Sequence, residues 1–383
     1  MSRKLDWLDA RARAAAAAPE PSFEHVPLDR AVGRVLAEDL RTPIPLPHYA
    51  SSAMDGWAVR GDPPWRLVDG PDPEPGEAVV IVTGGLVPPR TDAILRVEAG
   101  RVVAGRLEPV GETGLRDVSE HRHIRPAGTE AAAGEPVLGA GVLLTPPRVA
   151  LAAATGADRV AVRRRPRVAL VLTGDEVVEA GIPAPGRVRD SFRIALPAIL
   201  DELGAEVTAV HRVGDDTERT RAAIVADPVD LVVTTGGTGG SHADQVRAAV
   251  LGVGAEFVVP SVAIRPGGPT FLAQAPDRLV LGLPGNPLAS VLGLLAVGGP
   301  LLEAWTGRAT GTTTVTVEAG IEGRRHTTRL VPVAVRGGVA TPTAHAGSGM
   351  LRGLAAADAV LVVPEGGVEA GASAEALALP WPT

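Results

Sequence analysis

Apolar residues along the chain gather into short runs, and three of these runs break in the same way. Residues 231–233 are a β-branched-rich run that ends in Thr234, Thr235, Gly236, Gly237, Thr238, Gly239 and Gly240. That composition suits a strand buried on both faces. Past Asp244, the apolar residues Val246, Ala249 and Val250 return at helical spacing. Residues 167–172 form a second run, ending in Thr173, Gly174, Asp175 and Glu176. Residues 278–283 form a third, closed by Pro284, Gly285, Asn286 and Pro287 and followed by an apolar helix over 288–305. Asn286 suits the cap of that helix and Pro287 its first turn. Between the runs lie helices at 191–203 and 217–226 and a strand at 207–213. Strands and helices alternating at these lengths predict a doubly wound parallel sheet with right-handed crossovers. The three loops then share one sheet edge, where such folds bind ligands.

The remainder reads differently. Residues 5–18 predict a helix, and 27–40 a second amphipathic segment with Leu28, Val32, Val35 and Leu36 on one side. The alternating prolines of 42–48 force an extended crossing between domains. Residues 65–136 are rich in strands and turns without a convincing helix, which predicts a small β domain, and Arg122, His123 and Arg125 read as its charged surface. Residues 145–156 predict a helix that begins at prolines and stops at glycine. After 305, strand runs and one short helix at 351–356 predict a C-terminal β domain. The expected organisation is multidomain α/β plus β: an N-terminal part from 1–42 and 133–163, an inserted β domain at 43–132, the α/β domain at 164–308 and a β domain at 309–383.

Composition narrows the partners. The net charge of −7 argues against a general nucleic-acid grip. With no cysteine, disulfides and thiolate metal sites are ruled out, in keeping with a reducing cytoplasm. Charges run through residues 1–18, and Pro284, Asn286 and Pro287 interrupt the most apolar stretch, so neither a leader nor a membrane span is expected. The only lysine is Lys4, so every other fixed cation is an arginine.

The glycine loop carries the clearest chemistry. A strand, a loop without Cβ atoms and a helix start present backbone N–H groups to an anion such as phosphate. Asp244, near the helix start, suits a cap or a divalent cation beside the phosphates. The stretch around Met54, Asp55 and Gly56 reads, on its own, as a turn into a strand at 57–59.

Six motifs in order then resemble one family: Ser52-Ala-Met-Asp-Gly-Trp-Ala58, Thr83-Gly-Gly-Leu-Val-Pro88, Thr173-Gly-Asp-Glu176, Gly236-Gly237 with Asp244, Leu283-Pro-Gly-Asn-Pro-Leu-Ala-Ser290 and Gly347-Ser-Gly-Met-Leu351. They are similar to those of the molybdopterin molybdenumtransferases, bacterial molybdenum insertases related to the gephyrin E domain. The resemblance implies four domains, an elongated homodimer, and other cofactor-biosynthesis proteins as further partners. It implies adenylylated molybdopterin and molybdate as substrates, magnesium as cofactor, release of AMP, and molybdenum left on the dithiolene. It assigns Asp55, Glu176 and Asp244 to catalysis, with Asp244 and Glu176 on the metal. It assigns Thr83, Thr173, Gly174, Asp175, Gly236, Gly237, Thr238, Gly239, Ser241, Pro284, Gly285, Asn286, Pro287 and Ser290 to the pterin substrate. Arg265, Arg329 and Ser348 fall at the molybdate positions. Two departures stand out. Gly239 replaces the serine of the family loop, with Thr238 and Ser241 as nearby hydroxyls, and the family turn Lys-Pro-Gly-Lys-Pro is Arg265-Pro-Gly-Gly-Pro269 here. Arginine keeps the first charge in a different geometry, while Gly268 carries none. Two other functions use the same features: a non-catalytic molybdopterin-binding or scaffold paralogue, and a different nucleotide pyrophosphatase.

Overall fold

A computed structural model describes residues 4–238, 245–345, 347 and 350–381. The chain divides into two compact units, one of Met1–Glu24, Gly33–Val35 and Val162–Thr383, the other of His25–Val32 and Leu36–Ala161.

The first unit is built on a six-stranded sheet in the spatial order Glu206–Arg212, Arg167–Leu172, Leu231–Thr235, Leu279–Leu283, Phe271–Gln274, Glu256–Val259. The first four strands are parallel; Phe271–Gln274 runs antiparallel to both its neighbours. The central strands Leu231–Thr235 and Leu279–Leu283 are buried along their whole length, as unbroken apolar runs require. The chain goes from Arg167–Leu172 outward to Glu206–Arg212 and then back across to Leu231–Thr235. The order therefore reverses between strands 167–172 and 231–235, and a crevice opens at their C-terminal ends.

The helix after Leu283 begins at Pro287 and, after a π-helical turn at Leu294–Gly298, continues to Thr306. Among the described residues it is the one helix long and apolar enough to cross a membrane, yet 89% of its most apolar window is buried inside the protein. It is a core helix. The N-terminal helix Trp7–Ala16, capped by Asp6, buries Trp7, Ala10 and Ala14 in the same core as Leu301, Leu302 and Trp305. Its apolar face is matched to this surface, and the helix lies in the compact unit that holds the α/β sheet.

The C-terminal strands close on themselves. Thr328–Arg336, Val339–Pro342, Thr312–Val317, Ser373–Ala378 and Ala359–Val363 pair in a ring, since Ala359–Val363 also pairs with Thr328–Arg336. Val317, Val333, Leu361, Val363 and Ala376 fill its interior. A short strand from the α/β part, Ile264–Arg265, adds to the ring beside Thr328 and Arg329.

The second unit contains a six-stranded sheet in the order Ala93–Arg96, Gly56–Arg60, Glu77–Ile81, Trp65–Leu67, Arg106–Pro109, Gly100–Val103. Two expectations change here. A helix, Gly111–Ser119, lies where only strands and turns were expected. Gly111 and Gly114 lower its propensity, but Gly114 lets it lie so close to Ala99 that an added Cβ would approach the Ala99 carbonyl to 2.4 Å. Residues 27–40 are not an amphipathic helix: a single 3-10 turn, Leu28–Arg30, gives way to turns through Gly33, whose φ is +79°, and Val32 is exposed while Val35 and Leu36 are buried.

Candidate functional site

The crevice at the reversal point is a cleft of about 1100 Å³. Thr173, at the end of strand 167–172, donates its hydroxyl to the Thr235 carbonyl at 2.6 Å and so spans the gap between the two strands. Gly236 follows at φ +81°, and Gly237 at +55°. A Cβ on Gly237 would meet Val246 Cγ2 at 2.6 Å, so the loop can turn this tightly over the helix Gln245–Gly252 only with glycine. The Gly236 N–H donates to Leu283 O at 3.0 Å, which sets the turn after strand 279–283 alongside. Gly285 packs on Gly236, and Asn286 caps the long helix by accepting from the Ala289 N–H at 3.1 Å. Thr173, Gly174, Gly236, Gly237, Thr238, Pro284, Gly285, Asn286 and Pro287 all line the cleft. Two expected residues do not line it. Asp175 turns toward Gly214 on the neighbouring loop. Ser290 is fully buried and donates to the Pro284 carbonyl, so it shapes the turn from behind.

Glu176 lines the cleft, with its carboxylate folded over Gly174. Two further carboxylates join it. Asp215 follows strand 206–212 and accepts from Gln245 Nε2 at 2.7 Å. Asp190 is buried; one oxygen accepts from the Phe192 and Arg193 N–H groups at 3.0 Å, and the other lies 3.3 Å from Arg212 Nη2. Phe192 is the aromatic residue of the lining. Asp215 went unread in the sequence, although it follows a strand ending at this same sheet edge and that position was the available signal. Among the described residues no group of three His, Asp or Glu side chains is set to hold a metal alone. Magnesium commonly takes only one or two carboxylates and completes its shell with waters and substrate phosphates. The cleft carboxylates fit that chemistry.

A second pocket, of about 410 Å³, lies at the added strand. Arg265 and Arg329 are register partners there, so the structure brings together two residues 64 positions apart. Pro266, Glu322, Gly323 and Arg324 also line it, and the Arg329 guanidinium donates to the Glu322 main-chain carbonyl. The two pockets are the two ends of one turn, because Arg265 lines the small one and Pro269 the large one. Arg247 braces this turn against the glycine loop. It donates to Thr238 O at 3.3 Å, Pro260 O at 2.6 Å and Pro269 O at 3.4 Å while stacking over Phe257 and Phe271.

Asp55 and Thr83 belong to the second unit, where the Thr83 N–H donates to Asp55 Oδ1 at 2.6 Å. That bond holds the Asp55 carboxyl below the usual carboxylate range. Behind the adjoining strands, Asp117 is fully buried and receives Arg96 Nε at 2.8 Å, Arg96 Nη2 at 3.1 Å and His123 Nε2 at 2.9 Å. Burial alone would raise the Asp117 carboxyl, but the bonds from Arg96 and His123 outweigh it and keep it low. His123 is therefore an internal partner rather than part of a charged surface. Four expected site residues, Gly239, Ser241, Asp244 and Ser348, lie outside the described residues.

Three stretches of the chain are similar to known families. Residues 5–156 match the family described as MoeA N-terminal region (domain I and II), residues 169–304 the probable molybdopterin binding domain, and residues 314–379 the MoeA C-terminal region (domain IV). A molybdopterin molybdenumtransferase of Synechococcus elongatus is 34% identical over 314 residues, covering 74% of this chain and 75% of that protein. One from Haemophilus influenzae is 31% identical over 305 residues, covering 74% of this chain and 73% of that protein. A crystal structure titled as the molybdopterin biosynthesis moea protein from Pyrococcus horikosii superposes with a TM-score of 0.79 at 27% identity, over 98% of this chain and 99% of that one. With the glycine crevice, the paired arginine pocket and all three regions in their order, the chain belongs to the molybdopterin molybdenumtransferase family.

Proposed function

We propose that the protein inserts molybdenum from molybdate into adenylylated molybdopterin, cleaving the phosphate anhydride and releasing AMP. The observation that carries this reading is the shared turn: one end lines a large crevice of backbone and hydroxyl groups, and the other a small pocket of arginines. A phosphate anhydride suits the first. Its charge is met by loop N–H groups other than that of Gly236, which Leu283 O holds, and its bulk by a cleft of about 1100 Å³. A tetrahedral dianion such as molybdate suits the second, where guanidinium forks offer paired donors.

In this reading Gly236, Gly237, Thr173 and the Pro284–Asn286 turn hold the pterin phosphate, and Glu176 with Asp215 would hold a magnesium ion. That ion, when bound, neutralises charge developing on the anhydride oxygens. Asp244 and Asp55 join the catalytic set on the resemblance of their motifs, as Ser348, Gly239 and Ser241 join the binding sets. The protein acts as a homodimer in the cytoplasm, and the four-domain division refines the two compact units. The test is AMP release from the pterin adenylate with molybdate varied. Arg265→Ala should raise the molybdate KM at least about tenfold, the equivalent of 1.4 kcal/mol, and leave pterin affinity unchanged. Tight pterin binding by the wild type with no molybdate response would favour the non-catalytic paralogue instead.

A further inference from the structure

We propose that Lys4 supplies a cation to the oxyanion pocket from outside the turn that forms it. The proposal rests on the assignment of molybdate to the Arg265–Arg329 pocket. Lys4 is fixed in place by its neighbour. The Leu5 N–H donates to Ser261 O at 3.0 Å, and the Ala263 N–H donates to Leu5 O at 2.7 Å, so residue 5 lies as a parallel bridge beside Val262. Along 262–265 burial alternates: Val262 and Ile264 face the core, while Ala263 and Arg265 share the other side. Lys4 and Ala263 line one hollow with Thr328, and the next rung of the ladder, Arg265 beside Arg329, lines the arginine pocket.

The ammonium then lies over Gly268. A Cβ built on Gly268 would sit 3.6 Å from Lys4 Nζ and 3.0 Å from the carbonyl of Ile264, the residue joined to Arg265. The same Cβ would press on Val262 O at 3.3 Å. The turn has little room for a side chain of its own at this position, and the space above it is taken by a charge that comes from elsewhere in the chain.

That charge is uncommitted. In a chain of net charge −7, Lys4 has no ion-pair partner among the described residues, and nor do Arg265 and Arg324. Three acids line the hollow with Lys4: Asp6 accepts from the Asp9 N–H to cap its helix, Glu365 faces His326 at 3.8 Å, and Asp9 has no ion pair among the described residues. Lys4 and Arg265 thus flank one turn, with Arg324 on the arginine pocket, and none of the three is paired with a carboxylate among the described residues.

The experiment compares full-length wild type, Lys4→Ala, Lys4→Arg and Arg265→Ala in molybdate-dependent AMP release, with equilibrium dialysis of molybdate alone as a second readout. Lys4 is exposed, so melting temperatures should match and confirm folding. Lys4→Ala should raise the molybdate KM about tenfold while the KM for pterin adenylate and kcat at saturating molybdate hold, and Lys4→Arg should largely restore it. An unchanged molybdate KM in Lys4→Ala, with Arg265→Ala still impaired, overturns the role of Lys4 alone. An unchanged KM in both variants removes the pocket assignment and this proposal with it.

Discussion

The hydroxyl of Thr173 occupies the space that a side chain on Gly236 would need: an added Cβ would come within 2.5 Å of Thr173 Oγ1. That oxygen cannot move without breaking its bond to Thr235 O across the crevice. Gly236→Ala should therefore strain the loop twice, through contact and through a φ of +81°, at a cost of about 1–3 kcal/mol. Calorimetric melting would show that loss, and pterin binding should fall by more than the stability change alone explains. Gly285→Ala meets only ordinary contact at 3.4 Å and should be much milder.

Arg247 ties the glycine loop to the turn between the pockets, so its loss should affect both substrates. Arg247→Ala removes charge-assisted bonds to Thr238, Pro260 and Pro269 carbonyls and a cation stacked on two rings. The expected result is a higher KM for pterin adenylate and for molybdate together, with a stability loss of about 3 kcal/mol. Arg265→Ala, by contrast, should move only the molybdate value.

Phe192 lines the cleft and packs on the core behind it, so a planar ring bound there is expected to contact it. Phe192→Ala should weaken binding of the pterin adenylate by about 1 kcal/mol, read in a fluorescence titration, and leave the molybdate KM alone. Phe192→Tyr should behave as wild type.

Removal of magnesium by a chelator should abolish AMP release. Glu176→Gln should shift the magnesium requirement upward several-fold, since a neutral amide is a poorer hard-oxygen ligand, without altering melting temperature. Asp215→Asn should add to it.

In the second unit, Asp117→Asn leaves the Arg96 guanidinium and His123 facing a neutral group at a fully buried position. A loss of about 3 kcal/mol at neutral pH is expected. The Asp117 carboxyl is held low in the folded state, so its contribution is complete above the unfolded carboxylate pKa near 4 and fades as pH falls through the folded value. Wild type and variant should converge in stability in acid, which melting curves across pH 2–7 would show.

The three strand-to-loop breaks at Thr173, Gly236 and Pro284 were legible because buried parallel strands are unbroken apolar runs and the loops after them must turn at small residues. The core helix from Pro287 was legible from its cap and proline. Long-range pairing was not. Nothing in the local pattern shows that Arg265 joins Arg329, or that the chain around Leu5 lies beside Val262. The helix at Gly111–Ser119 defied its own propensities because Gly114 is used for close packing, and the segment after Leu28 was misread because Gly33 ends any helix there. Asp117 and His123 looked like ordinary charged residues, since burial is not visible in a residue type.

The closed ring of C-terminal strands is not a detachable module. Its connection to the rest of the chain through 307–311 looks like a simple tether, but Ile264–Arg265 is woven into its edge, and Leu330, Leu354, Val360 and Leu377 are part of the same core as the α/β sheet. Nicking the backbone in that tether should leave two fragments that stay associated, and each expressed alone should be insoluble. The arginine pocket would survive the cut, because its walls come from both sides of it.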